Sequence, residues 1–377
     1  MPLSSTYLHD IVYKRVGMIK GMRRLRPVQA GRREWAVTWP IKIRLGVKAL
    51  LATLAMLGIV IALGVLSLMV GTMPVSVADV FRAIMGHAEG MVRTVVVEWR
   101  LPRAIAAMVF GAALGASGAI FQSLTKNPLG SPDIIGFSSG SYTGALLVLL
   151  GTGTVSFAAV ASGAILGGIG TAVIVYALAF RGGSKGFRLI IVGIGISAML
   201  GSLNSMLLLR SDPDAAFAAA AWGVGSLNGV SWEQVLPASV VAVALLLGAM
   251  LQTRPLREME LGDDTAMAHG VAVEKSRFLL IATAVVLTAV PTAVIGPVSF
   301  VALAAPQMAK RLAGASRSLM PAAAMGALMM LGADFAAQRL IRGTVFPVGV
   351  VTLSLGGLYL VWLLFMQARK NGFGSGK

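Results

Sequence analysis

Residues 100–137, RLPRAIAAMVFGAALGASGAIFQSLTKNPLGSPDIIGF, decide how this chain reads. Two arginines open the stretch, small apolar residues fill its middle, and a turn rich in Pro and Gly closes it. An apolar run of about 20 residues, rising about 1.5 Å per residue, crosses a hydrocarbon core about 30 Å thick. Its glycines and alanines let a neighbouring backbone approach closely, so a tightly packed helix inside a membrane bundle is expected.

Composition agrees with that stretch. Of 377 residues, 56% are hydrophobic and 12% are charged. Soluble domains carry about 25% charged residues, so the chain reads as a polytopic membrane protein. Its 45 glycines suit close packing and interrupted helices. With no cysteine there is no disulfide, thiolate metal site or Cys nucleophile. His9, His87 and His269 are scattered and form no metal-ligand cluster. The net charge of +17 suggests nucleic-acid binding until it is mapped. Eleven of the 32 Lys/Arg residues lie in the first 48 positions and most of the others flank apolar runs. That distribution is a membrane-topology signal.

Apolar runs predict ten membrane helices near 47–71, 102–122, 134–151, 154–180, 188–209, 234–252, 277–295, 298–312, 319–338 and 347–367. Residues 75–85 read as a short amphipathic surface helix and 214–223 as another short helix. Several spans are short or contain Pro, as at Pro306, and need not run straight across. With ten spans both termini share a side. Placing them in the cytoplasm puts 25 Lys/Arg inside and 7 outside, the asymmetry expected of cytoplasmic termini.

The basic N-terminal region is longer than that of a signal peptide, and the run after it is long enough to span. Residues 7–26 read either as a basic amphipathic helix on anionic lipid or as a disordered tether. The expected organisation is a basic tail over 1–46, a transmembrane domain over 47–370 and a flexible tail over 371–377.

Eight stretches follow one another in a recognisable order. They are RLPR (100–103), GAALGASGAIFQ (111–122), NPLGSPDIIGF (127–137), WGVGSLNGVSW (222–232), LGDDTAMAHGV (261–271), GPVSFVALAAPQMAKRLAG (296–314), GADFAAQR (332–339) and PVGVVTLSLGGLYLVWLL (347–364). In this register the chain resembles the permease family of type II ABC importers for iron-siderophores, haem and vitamin B12, over residues 47–370. The stretches SLTKNPLGSPD, RLIIVGIGISAML, SLNGVSW and VTLSLGGLYL resemble the ferric-enterobactin permease subunits in particular.

The resemblance implies an all-α permease of about ten transmembrane helices, carrying a ferric siderophore, of catecholate type, by alternating access. Haem, cobalamin and hydroxamate siderophores are the alternative cargoes. It implies a second permease subunit, a distinct partner favoured over an identical one. Two ABC ATPases would bind ATP and Mg, and an extracytoplasmic binding protein would deliver the cargo; this chain itself would hold no cofactor.

Site residues follow from the same resemblance. Arg100 and Arg103 would dock the binding protein by gripping glutamates, for which a planar guanidinium is suited; interfacial snorkelling is the simpler alternative. Gln338 stands where the family has a third docking arginine, leaving Arg339 as its candidate substitute. Residues 261–271 would be the coupling helix seated in the ATPase, through Leu261, Gly262, Asp263, Asp264, Ala266, Ala268 and Gly270. Asn127 and Leu129, with Gly186 and Phe187, would line the cytoplasmic gate, although Asn-Pro is also an ordinary turn starter. Gln307 replaces a more usual His, and Val345 a more usual acidic residue. Asn204 and Gln307 are the polar candidates for the translocation path. Asp334 reads either as a functional carboxylate or as a structural partner of Arg339.

Two rival classes remain. An ion-coupled transporter needs ionisable groups deep in its spans, and spans two to eight are nearly free of charge in their middles. A membrane enzyme needs a catalytic constellation, and none is present in the sequence. The terminal GFGSGK is no phosphate loop: the position of the first required Gly is Asn371, and no Ser/Thr follows Lys377.

Overall fold

The structure, a computed structural model, describes residues 34–38, 42–133, 136–151, 156–179, 186–314, 319–340 and 345–372. It divides into two units, Met1–Val47 and Lys48–Lys377. In the first, β1 (Glu34–Thr38) pairs antiparallel with β2 (Lys42–Gly46), with Trp35 opposite Leu45 and Val37 opposite Ile43. The period-two alternation of Lys42, Ile43, Arg44 and Leu45 is the strand signal there, and a count of charges passes over it. Residues 7–26 lie outside the described residues.

The second unit is all-α. Helix α1 (Val47–Met69) leads to α2 (Val77–Ile84), whose cap Ser76 accepts a hydrogen bond from the Asp79 N–H at 3.1 Å. A turn at Gly90–Arg93 and a π-helical segment, Thr94–Arg100, run directly into α3 (Leu101–Thr125). Then come α4 (Phe137–Gly151), α5 (Phe157–Ala179), α6 (Gly186–Arg210) and α7 (Pro213–Gly223). They are followed by α8 (Trp232–Leu251), α9 (Thr253–Glu260), α10 (Asp263–Ala268) and α11 (Val273–Ile295). The last are α12 (Val301–Ala313), α13 (Leu319–Ala337) and α14 (Val348–Gly372).

Among the described residues seven helices are long and apolar enough to cross a membrane: α1, Gly90–Thr125, α5, Arg188–Arg210, α8, α11 and α13. The other three expected spans fall on α4, α12 and α14. With 15 and 13 residues, α4 and α12 are too short to cross upright, since a straight span takes about 20 residues. The two short helices expected outside the spans are α2 and α7.

Helix α3 is the axis of the bundle: 78% of its apolar window is buried, against 17% for α6. It packs on α8, α11, α12 and α13. The sequence permits this because a β-carbon at Gly111 or Gly326 would collide with the facing backbone carbonyl. Backbones that close gain dispersion contacts in a lipid setting where the hydrophobic effect supplies no drive between helices. Polar side chains add to the seam. The Ser117 hydroxyl on α3 donates to the Ala284 carbonyl on α11 at 2.7 Å. The loop at Gly225 (φ 76) nests against Gly296 (φ 75) and Gly349, so three of the ordered sequence motifs meet at one point.

Candidate functional site

Two polar clusters terminate α3, one at each end. At its start, Arg100 donates to the Leu68 carbonyl at 2.8 Å and to the Met73 carbonyl at 2.6 Å. Arg339, just past α13, donates to the Val70 carbonyl at 2.5 Å and lies 3.7 Å above the Phe335 ring centre. The Leu68 and Val70 carbonyls close α1, where a helix leaves acceptors unpaired and carries partial negative charge, and Met73 lies in the turn beyond it. Two arginines from different helices therefore grip one helix end.

Arg103 sits beside them with its guanidinium fully engaged by a carboxylate. Its Nε lies 3.0 and 3.1 Å from the two Asp334 oxygens, and its second nitrogen lies 2.8 Å from one of them. The Asp334 side chain is 2% exposed, so this pair is buried on the carboxylate side. Gln338 adds a hydrogen bond to Asp334 at 2.7 Å. The hydrogen-bonded ion partner of Asp334 is thus Arg103, one helix away, and not Arg339, five residues on in sequence. A residue five positions along a helix points to a different face, whereas α3 and α13 are in direct contact. The structure does bring the three candidate docking arginines to one end of the bundle.

At the opposite end, Lys126 (φ 50) terminates α3 in a left-handed turn. The side chain of Asn127 then accepts from the Leu129 N–H at 2.9 Å, forming a tight elbow. Leu129 is exposed. Gln307, on α12, donates to Gln122 at 2.6 Å and to the Pro128 carbonyl at 3.1 Å. Ser123 donates to Glu260 at 2.6 Å, which ties the end of α3 to α9. Around these contacts lies a cavity of about 460 Å³, lined by Gln122, Ser123, Asn127, Glu260, Gln307 and Lys310 among others.

Gly186 and Phe187 are the first residues of α6, and their side chains lie outside the described residues. Asn204 lies apart from this cluster. It is 5% exposed and accepts from Thr143 on α4 at 2.7 Å, so it clamps two helices within the chain.

The segment from Leu261 to Gly270 forms a short helix between two positive-φ glycines, Gly262 (φ 125) and Gly270 (φ 78). Its Ala266 is fully buried, while Leu261, Asp263, Asp264, Met267 and Ala268 are exposed. Asp263 receives Arg277 of α11 at 2.7 Å, and Glu258 of α9 meets His269 at 2.6 Å. The small residue at 266 therefore lets the helix sit on its own chain, and Met267 belongs to the outer face.

Sequence reasoning missed Gln122, Ser123 and Glu260. The first two lie in the deciding stretch, one helical turn before the Asn-Pro elbow, and that spacing is the available signal. Asp133, in the loop before α4, is half-buried with Ser138 donating to it at 2.5 Å. Burial pushes its pKa up to about 6, with the hydroxyl pulling the other way.

Comparison with known proteins fits this architecture. Residues 59–366 match the FecCD transport family. The ferric enterobactin transport system permease protein FepG of Escherichia coli is 46% identical over 325 residues, covering 86% of this chain and 98% of that protein. The hemin transport system permease protein HmuU of Yersinia pestis is 34% identical, covering 72% of this chain and 83% of its own. Among solved structures, an inward-facing metal-chelate type ABC transporter superposes with a TM-score of 0.73 and 27% identity, covering 83% of this chain and 98% of that one. The chain accordingly belongs to the FecCD transport family and is a multi-pass membrane permease subunit of the ABC transporter class.

Proposed function

We propose that this permease carries a ferric siderophore of the catecholate class through the inner membrane, by alternating access. The observation that carries the reading is the 46% identity to FepG along 98% of that protein's length. Haem and hydroxamate permeases are related at 34% identity, so those cargoes form the second reading.

The chain is a transport subunit, and ATP with Mg acts on a separate ATPase. A pair of ATPases, a substrate-binding protein and a second permease subunit, distinct in sequence, complete the assembly. Both termini lie in the cytoplasm, as the Lys/Arg asymmetry supports. Residues 47–370 form the transport domain and 1–46 a basic tail.

In this reading the end bearing Arg100, Arg103 and Arg339 receives the binding protein. Three guanidiniums gather there, Arg103 on the Asp334 carboxylate and Arg100 and Arg339 on uncharged backbone carbonyls, so the latter two keep their positive charge for glutamates. The exposed face of residues 261–270 seats in the ATPase, Leu261, Asp264 and Ala268 providing contact area and Gly262 and Gly270 the tight entry and exit. Asn127 and Leu129, with Gly186 and Phe187, form the cytoplasmic gate, beside which Gln307 presents an amide to the path. Asn204 serves the path indirectly, by holding α6 to α4.

Uptake of labelled ferric catecholate into proteoliposomes holding the full assembly tests the proposal, with haem, cobalamin and a ferric hydroxamate as competitors. ATP-dependent uptake blocked only by the catecholate is expected. Uptake blocked by haem but not by the catecholate overturns the cargo, and uptake by the chain without an ATPase overturns the mechanism.

A further inference from the structure

The helix read as the ATPase contact cannot move the gate directly. It packs against α9 and α11, and the elbow at Asn127 belongs to α3. Two polar links leave this helix. One is Asp263 to Arg277, which leads into α11. The other runs through His269 and Glu258 into α9, and α9 reaches α3 through Glu260 and Ser123. Ser123 stands four residues before Asn127, about one helical turn from the elbow.

The surroundings of this second link differ from the rest of α3. Elsewhere the helix is packed backbone to backbone against α13. Here it borders the cavity of about 460 Å³, shared with α9, α12 and the start of α13. The pocket borders residues 122–127 at the end of α3 while Ile120 and Phe121 stay buried in the core, so any movement at this end is confined to the turn beside the pocket. Across it, Gln307 holds Gln122 and the Pro128 carbonyl, which ties α12 to both sides of the elbow. Besides the direct packing of α9 on α3, a displacement of α9 reaches the elbow end through this short hydrogen bond from Ser123 to a carboxylate, the kind that is stronger than a neutral bond.

We propose that the Ser123–Glu260 hydrogen bond is the transmission contact between the ATPase-facing segment and the Asn127–Leu129 elbow, with the cavity as the space the movement uses. Both side chains act as positioning residues, since neither needs to touch cargo or nucleotide. The inference rests on the reading of residues 261–270 as the ATPase contact.

The test uses the complete assembly in proteoliposomes and measures cargo moved per ATP hydrolysed. Ser123→Ala and Glu260→Ala each remove the link. Loss of a hydrogen bond to a charged group predicts a fall of about tenfold in cargo per ATP, while hydrolysis continues. The double variant should fall no further than Glu260→Ala, because the Ser123 link is already lost in that single. Ser123→Thr and Glu260→Gln, which keep a donor and an acceptor, should restore the ratio. An unchanged ratio in Ser123→Ala, or equal loss of hydrolysis and transport, overturns the proposal and leaves the permease reading intact. Should Glu260→Ala fail to accumulate, Ser123→Ala with Ser123→Thr decides the question alone. Failure of the wild-type chain to bind an ATPase at all would overturn the underlying reading, and this inference with it.

Discussion

The two ends of α3 are built on opposite plans. At the arginine end every guanidinium is committed: Arg103 to Asp334, Arg100 and Arg339 to the carbonyls at and just past the end of α1. At the elbow end the helix borders a cavity, and its polar links to α9 and α12 are hydrogen bonds from hydroxyl and amide side chains. A charge buried against a carboxylate is costly to separate, whereas a partly exposed hydroxyl or amide exchanges partners with water at little cost. The difference makes one end costly to separate and the other cheaper to rearrange.

The sharpest way to break this contrast is to unpair the buried charge. Asp334→Ala should destabilise the chain by about 3–5 kcal/mol, because Arg103 is left without its carboxylate. Thermal unfolding of the purified protein in detergent reads this directly. The double variant Arg103→Met with Asp334→Leu should lose less than either single change.

Next in size is the packing that fixes the middle of α3. Gly326→Val places a side chain against the Gly111 carbonyl and should cost about 1–3 kcal/mol in the same assay. Gly58→Ala, where the added carbon meets no atom within 4 Å, should be close to neutral.

Substitution at the elbow end should barely affect stability. Met267→Ser, on the exposed face of α10, should change it by less than about 0.5 kcal/mol. Pull-down with the ATPase subunit should nevertheless weaken, which separates a docking face from a structural one.

A pH-dependent effect concerns Asp133. Its pKa of about 6 lies above the ordinary 3.8, so between about pH 4 and 6 the folded chain takes up the proton more readily than the unfolded one. Stability contributed by the protonated form is therefore complete below pH 4 and is lost as pH rises through 6. Asp133→Asn should flatten this slope, as read by unfolding at a series of pH values. An unchanged slope would assign it to another group.

Much of the fold was legible because each membrane helix is a local object. About 20 apolar residues must satisfy their own backbone in lipid, so length and hydropathy alone mark them. All ten expected spans fall on helices, and the small residues of α3 foretold its close neighbour. Local turn geometry was legible where a motif is local, as at Asn127 and Gly262. Asp334 was left open because sequence offers its nearest basic neighbour, Arg339, whereas its partner is 231 positions away. Ser123 and Glu260 were silent for the same reason, being 137 positions apart.

The sequence by itself therefore determined a bundle of membrane helices, their order, the small-residue face of α3 and the transport family. Those properties follow from the local balance of apolar and polar groups against lipid and water. Only the tertiary structure decided which carboxylate holds Arg103, that Arg100 and Arg339 grip one helix end, and that a cavity separates the elbow from its neighbours. Each of these depends on where helices distant in sequence cross. That is set by the summed fit of many side chains, and no single stretch of sequence contains it.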